Sequence, residues 1–247
     1  MYPKIIAHRG ASRLAPENTM PAFKIAHQQG AEGIETDVQL TKDNIPVLIH
    51  DERVKRTTNS VGYVKNFTFK ELKQLDAGSW FSQKFVGTPI TSLEEFLQWV
   101  YDKSLYLNLE LKNNKIDYRD LEAIVYERIE HYQLLNSTTI SSFNPNSLKR
   151  MREINNDIEV ALLLSRKQKN LVRNAQEIGA NAIHLNYRLL NHSIVKSLRQ
   201  ANMAIRIFTV NKQSHLNRCI AHGCDGVFTD VPGQALNYRR IYNDKEL

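Results

Sequence analysis

Cysteine is scarce in this chain, which contains only Cys219 and Cys224 among its 247 residues. They lie near the end of a predicted helix and in the turn that follows it. No further cysteine is available to complete a zinc site. We therefore expect both to be reduced thiols packed in the protein interior.

Long hydrophobic runs are absent as well. No stretch approaches the roughly 18 apolar residues needed to cross a membrane. The chain enters a short apolar strand at residues 4–8 without a leader-like hydrophobic region. The sequence therefore predicts a soluble, cytoplasmic protein without stable membrane insertion.

Blocks of like charge are also missing, although the chain is basic overall. Its 33 Lys and Arg residues against 26 Asp and Glu residues give a net charge of +7, and these charges are spread along the sequence. The aromatic-glycine signature of RNA-binding domains and the spacing of zinc fingers do not occur. We therefore predict no nucleic-acid partner. The excess charge indicates a solvated surface or, less strongly, an attraction for anionic substrates.

The most informative stretch of the sequence is Gly33–Leu40. It has the alternation of a β-strand, so Glu35 and Asp37 point to the same face. A turn signal follows at residues 43–44, and an apolar run then returns antiparallel to His50, because the connection is too short for a parallel crossover. A two-residue turn would place His50 opposite Asp37. One hairpin is thus predicted to bring two carboxylates and an imidazole together.

Beyond this hairpin, predicted strands and helices alternate along the chain. Strands are predicted at residues 4–8, 33–40, 105–111, 138–142, 158–164, 182–185, 204–210 and 227–230. Helices are predicted between Thr19 and Gly30, from Ser92 through Val100, and at residues 120–132, 145–154, 168–178, 191–201 and 213–222. About eight parallel strands separated by helices predict an α/β fold, the TIM (β/α)8 barrel. An open doubly wound sheet is the alternative, since alternation alone cannot establish closure.

Residues 51 to about 92 interrupt this alternation. They are irregular apart from a short helix predicted near residues 69–75, and they are longer than an ordinary loop. We therefore predict a single barrel domain over residues 1–247, with a functional insertion of about residues 51–92.

Polar side chains recur where the predicted strands end, and in a TIM barrel these ends converge on the rim where active sites lie. Glu110 and Lys112 are two positions apart and share a face, so they could form a structural ion pair. With Glu35 and Asp37 on the same rim, however, a third carboxylate favours a metal site. The other strand ends of this kind are His8-Arg9, Ser142-Phe143, Asn186, Thr209 with Asn211, and Thr229-Asp230.

Several of these motifs, in their order along the chain, resemble the glycerophosphodiester phosphodiesterases. They are His8-Arg9-Gly10, Pro16-Glu17-Asn18-Thr19, Ile34-Glu35-Thr36-Asp37-Val38, His50-Asp51, Glu110-Leu111-Lys112 and the closing run from Gly223 to Pro232. The similarity extends over essentially the whole chain. It implies a TIM barrel with the insertion over its C-terminal mouth, and metal-dependent hydrolysis of glycerophosphodiesters to glycerol 3-phosphate and an alcohol.

The resemblance also implies roles for individual residues. It implies that Glu35, Asp37 and Glu110 hold a divalent cation and that His8 and His50 are the acid-base pair. It also implies that Arg9 and Lys112 contact the phosphate. In addition, it implies that Phe143 forms the wall on the glycerol side, and that Asn18 belongs to the substrate site and orients a catalytic histidine. An all-oxygen ligand set suits Mg²⁺ or Ca²⁺ rather than Zn²⁺. Imidazole suits proton transfer because it titrates near neutral pH.

Two other functions remain open from the sequence. Trp80, Phe81 and Phe85 could form an apolar port for a lysophospholipid whose headgroup is removed at the same site, although such clusters more often serve packing. A non-catalytic phosphodiester-binding protein is the other alternative, but a binding protein would not need two proton-transfer histidines.

Two further expectations concern residues outside the predicted catalytic set. Phe208 departs from the family, in which Trp is more usual at this position, and this bears on substrate choice. The remaining histidines form no ligand spacing and are interpreted as structural or surface residues; they are His27, His131, His184, His192, His215 and His222. The oligomeric state is not predictable from the sequence.

Overall fold

The computed structural model of the protein describes residues 2–244. Nine strands in this range form one sheet. Their bounds are β1 Lys4–His8, β2 Gly33–Leu40, β3 Pro46–Leu48, β4 Tyr106–Leu111, β5 Thr138–Ser142, β6 Glu159–Leu164, β7 Ala182–Asn186, β8 Ala204–Phe208 and β9 Gly226–Thr229.

Eight of these strands close into a parallel barrel. Their order around it is β1, β9, β8, β7, β6, β5, β4 and β2, and β2 pairs back with β1, where Glu35 lies beside His8. The predicted TIM barrel is therefore confirmed, and closure excludes the open doubly wound sheet. Strand β3 adds to β2 in the antiparallel direction, outside the barrel.

Helices flank the strands and agree with the predicted segments to within a few residues. Their bounds are α1 Met20–Gln28, α2 Phe69–Leu72, α3 Leu93–Val100, α4 Leu121–His131, α5 Pro145–Ile154, α6 Leu171–Ile178, α7 His192–Gln200, α8 Gln213–Ala221 and α9 Pro232–Asn243. Helix α9 is not among the predicted helices, although Pro232 at its start is a typical first-turn residue. Over residues 2–244, no helix has both the length and the apolarity that crossing a membrane requires.

Of two helix starts with a capping signal in the sequence, Ser92 caps its helix through its side chain and Thr19 does not. The hydroxyl of Ser92 accepts a hydrogen bond from the backbone N–H of Glu95, whose carboxylate accepts one from the N–H of Ser92 in return, at 2.8 Å. Helix α1 also begins where predicted, after Thr19. Its hydroxyl does not cap the helix, however, and donates instead to the carbonyl of Pro16 at 2.6 Å.

The predicted hairpin register is wrong by one residue. Leu40 pairs with Pro46, so the loop is longer than the two-residue turn predicted at residues 43–44. Asn44 takes a left-handed conformation with φ of 58° and extends the turn. Ile49, not His50, is therefore opposite Asp37, and its N–H donates to the carbonyl of Asp37 at 3.0 Å.

The alternation along β4 separates the two sides of the barrel wall. Leu107, Leu109 and Leu111 pack in the hydrophobic core between the strands and the surrounding helices. Asn108 and Glu110, by contrast, line a cavity inside the barrel. Because the apolar residues face outward to the helices, polar groups can occupy the interior without weakening the main core.

The segment between β3 and α3 has a small core of its own. Seven buried apolar residues form it, namely Val47, Ile49, Val54, Val64, Leu72, Ala77 and Ile90. Trp80 and Phe81 pack edge to face against each other, and Phe81 against Phe85, each pair with ring centroids 5.7 Å apart. The indole of Trp80 donates to the carbonyl of Ala77 at 2.9 Å. These aromatic residues pack against one another, and none of the three lines the catalytic cavity described below.

Cys219 and Cys224 are both buried and free of disulfide bonds. This confirms the prediction of packed, reduced thiols.

Gln39 fixes the path of the chain after β3. Its side chain is fully buried, and its amide nitrogen lies 3.0, 3.1 and 2.7 Å from the carbonyl oxygens of Ile49, His50 and Asp51. Its amide oxygen accepts a hydrogen bond from the hydroxyl of Tyr118 at 3.2 Å. One side chain therefore holds the three backbone groups that carry His50 toward the cavity.

We predict that Gln39→Leu lowers the free energy of unfolding by about 1–3 kcal/mol, because buried carbonyls lose their donor. Urea unfolding of the two proteins measures the difference. Tyr118→Phe is the matched control, since it removes one hydrogen bond and should cost only about 0.5–1.5 kcal/mol. Equal destabilisation by the two substitutions would contradict the role assigned to Gln39.

Candidate active site

A cavity of about 280 Å³ opens at the C-terminal ends of the barrel strands. Nine of its thirteen lining residues lie on strands, and the other four follow strand ends. The lining residues are His8, Arg9, Glu35, His50, Asn108, Glu110, Phe143, Leu163, His184, Asn186, Phe208, Thr209 and Phe228. A cavity of about 430 Å³ lies at the opposite end of the barrel and has no histidine in its lining. The predicted catalytic groups thus meet at the first cavity.

Three carboxylates meet at the rim of this cavity. One oxygen each from Glu35, Asp37 and Glu110 lies within 4.8 Å of those from the other two. Glu35 and Asp37 are 3% and 0% exposed. The Oδ1 atom of Asp37 is buried and has no hydrogen-bond partner in the part of the chain that the structure describes. A clustered, all-oxygen donor set with an unpaired buried carboxylate oxygen fits a hard divalent cation.

The same crowding separates the pKa values of two of these acids. Burial, together with the charge of Asp37, raises the pKa of Glu35 from 4.5 to about 8. Burial would also raise the pKa of Asp37, but the charges of Arg9, Lys112 and His50 outweigh it and hold that pKa below its ordinary value. Asp37 therefore stays ionised, whereas Glu35 loses its proton only at a higher pH than an ordinary glutamic acid.

Arg9 and Lys112 supply positive charge next to the carboxylates. The Nε atom of Arg9 lies 3.1 Å from Asp37, and the Nζ atom of Lys112 lies 2.7 Å from Glu110 and 3.6 Å from Asp37. The predicted ion pair between Glu110 and Lys112 is present, and it coexists with the carboxylate cluster. Arg9 lines the cavity, as a phosphate contact requires, whereas Lys112 is buried behind Glu110 and is not part of the lining.

The loop after β1 holds Arg9 in a conformation that few residues adopt. Arg9 has φ of 57°, and Gly10 follows with φ of 80°. A Cβ atom at Gly10 would lie only 2.6 Å from the backbone of Ala22, so glycine is required there. The N–H of Arg9 donates to the carboxylate of Glu35 at 2.9 Å. The turn therefore ties Arg9 directly to the carboxylate cluster.

Each cavity histidine is held by a carboxylate at Nδ1. His8 Nδ1 lies 2.7 Å from Asp230, and His50 Nδ1 lies 2.6 Å from Asp51. Burial and the charge of Arg9 lower the pKa of His8, but the hydrogen bond to Asp230 and the charges of Glu35 and Asp230 outweigh them, so the pKa is raised. Because the carboxylates accept the Nδ1 protons, Nε2 of each ring is available for proton transfer, and among residues 2–244 Nε2 of His8 lies 4.0 Å from a carboxylate oxygen of Glu35.

Of the predicted substrate-binding residues, Phe143 lines the cavity and Asn18 does not. Phe143 lines the cavity and packs edge to face on Phe208, with ring centroids 6.2 Å apart. Asn18 is buried outside the lining and donates to Asp37 at 2.8 Å. Its amide oxygen accepts a hydrogen bond from the hydroxyl of Thr36 at 2.7 Å. Asn18 therefore orients a carboxylate of the cluster, where the resemblance implied that it would orient a histidine.

Sequence reasoning assigned no role to several residues that support the site. Arg56, from the insertion, donates to Glu17 at 2.7 and 2.8 Å and to Asp51 at 2.6 Å. Glu17 also accepts a hydrogen bond from Arg9 at 2.9 Å. The guanidinium of Arg56 thus connects Asp51, which holds His50, to Glu17, which holds Arg9. Asp51 was visible in the sequence as the neighbour of His50, but no local signal marked Arg56.

The sequence assigns no role to Asp230, and it predicts that His184 is a structural or surface residue. Asp230 was recognised as a strand end, and the structure shows that it holds His8. His184 is fully buried and lines the cavity. The alternation of β7 could have indicated this, because His184 shares a face with Asn186.

The chain matches the family model described as the glycerophosphoryl diester phosphodiesterase family over residues 8–234. It is 38% identical over 236 residues to a glycerophosphodiester phosphodiesterase of Caldanaerobacter subterraneus subsp. tengcongensis, covering 96% of this chain and 97% of that protein. It is 39% identical over 239 residues to one from Bacillus altitudinis, covering 96% and 98% of the two chains.

The barrel is also similar to solved structures. A phosphodiesterase of Oleispira antarctica, determined in complex with the product sn-glycerol-3-phosphate, superposes with a TM-score of 0.91 at 30% identity, covering 97% of each chain. A glycerophosphodiester phosphodiesterase of Agrobacterium tumefaciens superposes with a TM-score of 0.83 at 29% identity, covering 94% of this chain and 97% of that one. Together with the geometry of the cavity, these matches establish that the chain belongs to the glycerophosphoryl diester phosphodiesterase family.

Proposed function

We propose that this chain hydrolyses glycerophosphodiesters to glycerol 3-phosphate and an alcohol. One arrangement carries the proposal: two carboxylate-held histidines line the same cavity as Glu35 and Glu110, and the buried carboxylate of Asp37 completes the cluster directly behind them. The Oleispira antarctica relative, whose structure holds sn-glycerol-3-phosphate, supports the same product here. A protein that only binds phosphodiesters would not need the two histidines with free Nε2 atoms.

Glu35, Asp37 and Glu110 would hold the divalent cation, which we propose to be Mg²⁺ or Ca²⁺. When bound, such a cation offsets negative charge on the phosphoryl oxygens. Arg9 does the same from the protein side, because its guanidinium lies at the cavity next to Asp37. Lys112 acts indirectly: it offsets the charges of Glu110 and Asp37 and does not line the cavity. The charge balance of the site therefore comes from the cation, Arg9 and Lys112 together.

The two histidines divide the proton transfers. We infer that the glycerol 2-hydroxyl attacks phosphorus, because it can close a five-membered ring without capturing a second molecule. One histidine takes the proton of this hydroxyl as the new O–P bond forms. The other histidine gives a proton to the alcohol oxygen as its bond to phosphorus breaks. Water then opens the cyclic phosphate with the proton transfers reversed, and the sum of the two steps is hydrolysis.

We also propose that residues 1–247 form one catalytic domain in which the insertion of about residues 51–92 completes the site. The guanidinium of Arg56 supports this proposal, since it joins the insertion to Glu17 and Asp51.

An assay of the purified protein on several glycerophosphodiesters, with glycerol 3-phosphate as the readout, tests the function and the cation together. We expect activity to be lost in a chelator and restored by Mg²⁺ or Ca²⁺. Asp37→Asn should abolish turnover at every cation concentration, because it removes the most strongly ionised ligand. Asp102→Asn, at an exposed acid far from the cluster, is the matched control. Full activity of Asp37→Asn in chelator would overturn the cation assignment.

Replacement of the histidines tests the proton transfers. His8→Ala and His50→Ala should each lower kcat by roughly 10²- to 10⁴-fold, both on the diester and on supplied glycerol 1,2-cyclic phosphate. Cation affinity, measured by calorimetry, should be retained in both variants. A diester lacking the 2-hydroxyl should bind without being cleaved. If it is cleaved efficiently, water rather than the 2-hydroxyl is the nucleophile.

The stability of the cation-free protein should depend on Glu35. Its pKa is raised from 4.5 to about 8 in the folded chain, so between these values the folded chain keeps a proton that the unfolded chain has lost. The free energy of unfolding therefore falls as pH rises through this window. Glu35→Gln has no such proton to lose. In chelator, its melting temperature should exceed that of the wild type increasingly from about pH 5 to about pH 8, by about 2–4 °C per kcal/mol.

Adding Mg²⁺ or Ca²⁺ should reverse this order, because the cation stabilises the protein that binds it more tightly. A pH-independent difference between the two proteins in chelator would contradict the shifted pKa of Glu35.

A further inference from the structure

Apart from Nε of Arg9, which is ion-paired with Asp37, two buried polar atoms of cavity-lining side chains have no hydrogen-bond partner among residues 2–244. They are Nδ1 of His184 and Oδ1 of Asn108. His184 is 0% exposed and Asn108 is 1% exposed, and both side chains line the cavity. Unpaired buried polar atoms are costly, so two of them facing one cavity indicate a ligand that pairs with them.

The hydrogen-bond partners of these side chains fix what each atom offers. Arg206 lies with its guanidinium nitrogen 3.2 Å from Nε2 of His184. A guanidinium can only donate, so Nε2 accepts and the proton of the neutral ring is on Nδ1. Burial and the charge of Arg206 lower the pKa of His184 well below its ordinary value, which keeps the ring neutral. His184 therefore presents a donor to the cavity.

Asn108 presents the complementary group. Its amide nitrogen donates to the hydroxyl of Ser141 at 2.9 Å, which leaves the amide oxygen as an acceptor. A donor and an acceptor in one cavity match an alcohol hydroxyl, which accepts one hydrogen bond and donates another.

These atoms lie at the deep end of the cavity. Asn108 and His184 precede Glu110 and Asn186 by two residues on their strands, which is about 6–7 Å further from the mouth. Beside His184, on the neighbouring strand β8, Arg206 is paired with Glu159 at 2.8 Å and packed over the ring of Tyr106. The deep end is therefore closed, and only a substrate part of fixed size can enter it.

A glycerophosphodiester has one part of fixed size, its glycerol unit, and one variable part, its alcohol. The variable alcohol must face the open mouth, and the glycerol unit must point inward. With the phosphate beside Arg9 and the two catalytic histidines, the terminal carbon of glycerol is the atom that extends toward the floor. We propose that His184 and Asn108 bind the terminal hydroxyl of the glycerol unit, so that a free hydroxyl at this position is a requirement of the substrate.

This inference rests on the proposed function, and it decides between the two substrate classes left open by the sequence. A lysophospholipid acylated at the terminal oxygen has no proton there to donate to Asn108. Its acyl chain would also meet the closed floor formed by Arg206. The site is therefore specific for fully deacylated glycerophosphodiesters.

The test compares two substrates that differ by one hydroxyl. Glycerophosphoethanolamine has the terminal hydroxyl, and 2-hydroxypropyl phosphoethanolamine lacks it while keeping the attacking 2-hydroxyl. The wild-type protein, with Mg²⁺ supplied, should prefer the first by at least about 10²-fold in kcat/KM. It should not cleave 1-acyl lysophosphatidylethanolamine. His184→Leu and Asn108→Ala should each reduce the preference at least about tenfold.

Controls separate binding of the hydroxyl from general damage. His184→Asn places an amide N–H near the position of Nδ1 and should retain more of the preference than His184→Leu. His131→Leu, at an exposed histidine, should leave the preference unchanged. Because the readout is a ratio between two substrates, a general loss of activity cancels.

The outcomes are distinct. If the wild type cleaves both diesters with equal kcat/KM, or cleaves the lysophospholipid, the hydroxyl site is wrong while the proposed function stands. If the wild type cleaves none of the three, the proposed function fails and the hydroxyl site fails with it. If one variant does not fold, the wild-type ratio and the other variant still decide.

Discussion

The structure depends on how three carboxylates are kept together inside the mouth of a barrel. Glu35, Asp37 and Glu110 are close enough to repel one another strongly in a poorly hydrated environment. Arg9 and Lys112 offset part of this charge, although Oδ1 of Asp37, which lies 3.6 Å from Lys112, accepts no hydrogen bond among residues 2–244. The apolar outer face of the barrel, packed under the helices, supplies the rigidity that makes this crowding possible. The close approach of the three carboxylates therefore lowers the stability of the folded protein, while the same close approach is what a cation site requires.

The segment between β3 and α3 is connected by ion pairs to the residues that hold Arg9 and His50. Its small apolar core anchors it to the hairpin, and from there Arg56 reaches both Glu17 and Asp51. Glu17 holds Arg9, and Asp51 holds His50. Arg9 and His50, which both line the cavity, are thus connected through one guanidinium that lies outside the barrel wall. This irregular segment therefore extends the hydrogen-bond network around Arg9 and His50 beyond the barrel strands.

Much of this arrangement could be predicted from the sequence, and the failures have physical causes. Strand alternation placed Glu35 and Asp37 on one face, and the repeated strand-helix pattern gave the barrel. The hairpin register could not be predicted, because the left-handed conformation of Asn44 lengthens the turn by one residue. The roles of Arg56 and Asp230 depend on contacts between residues 39 and 222 positions apart in the chain, for which one sequence contains no local signal. His184 was missed for a different reason: its strand position was predictable, but its unpaired nitrogen is a property of the folded interior.

The position of Arg206 bears on how substrate and product enter and leave the cavity. Its guanidinium contacts His184, which lines the catalytic cavity, and Arg206 itself lines the separate cavity at the other end of the barrel. Among residues 2–244, Arg206 therefore separates the two cavities, and the cavity that holds the carboxylate cluster opens at the C-terminal ends of the strands. Reactant and product must use that opening in turn. Glycerol 3-phosphate that lingers in the pocket occupies the only route inward, so competition between product and substrate is built into the shape of the protein.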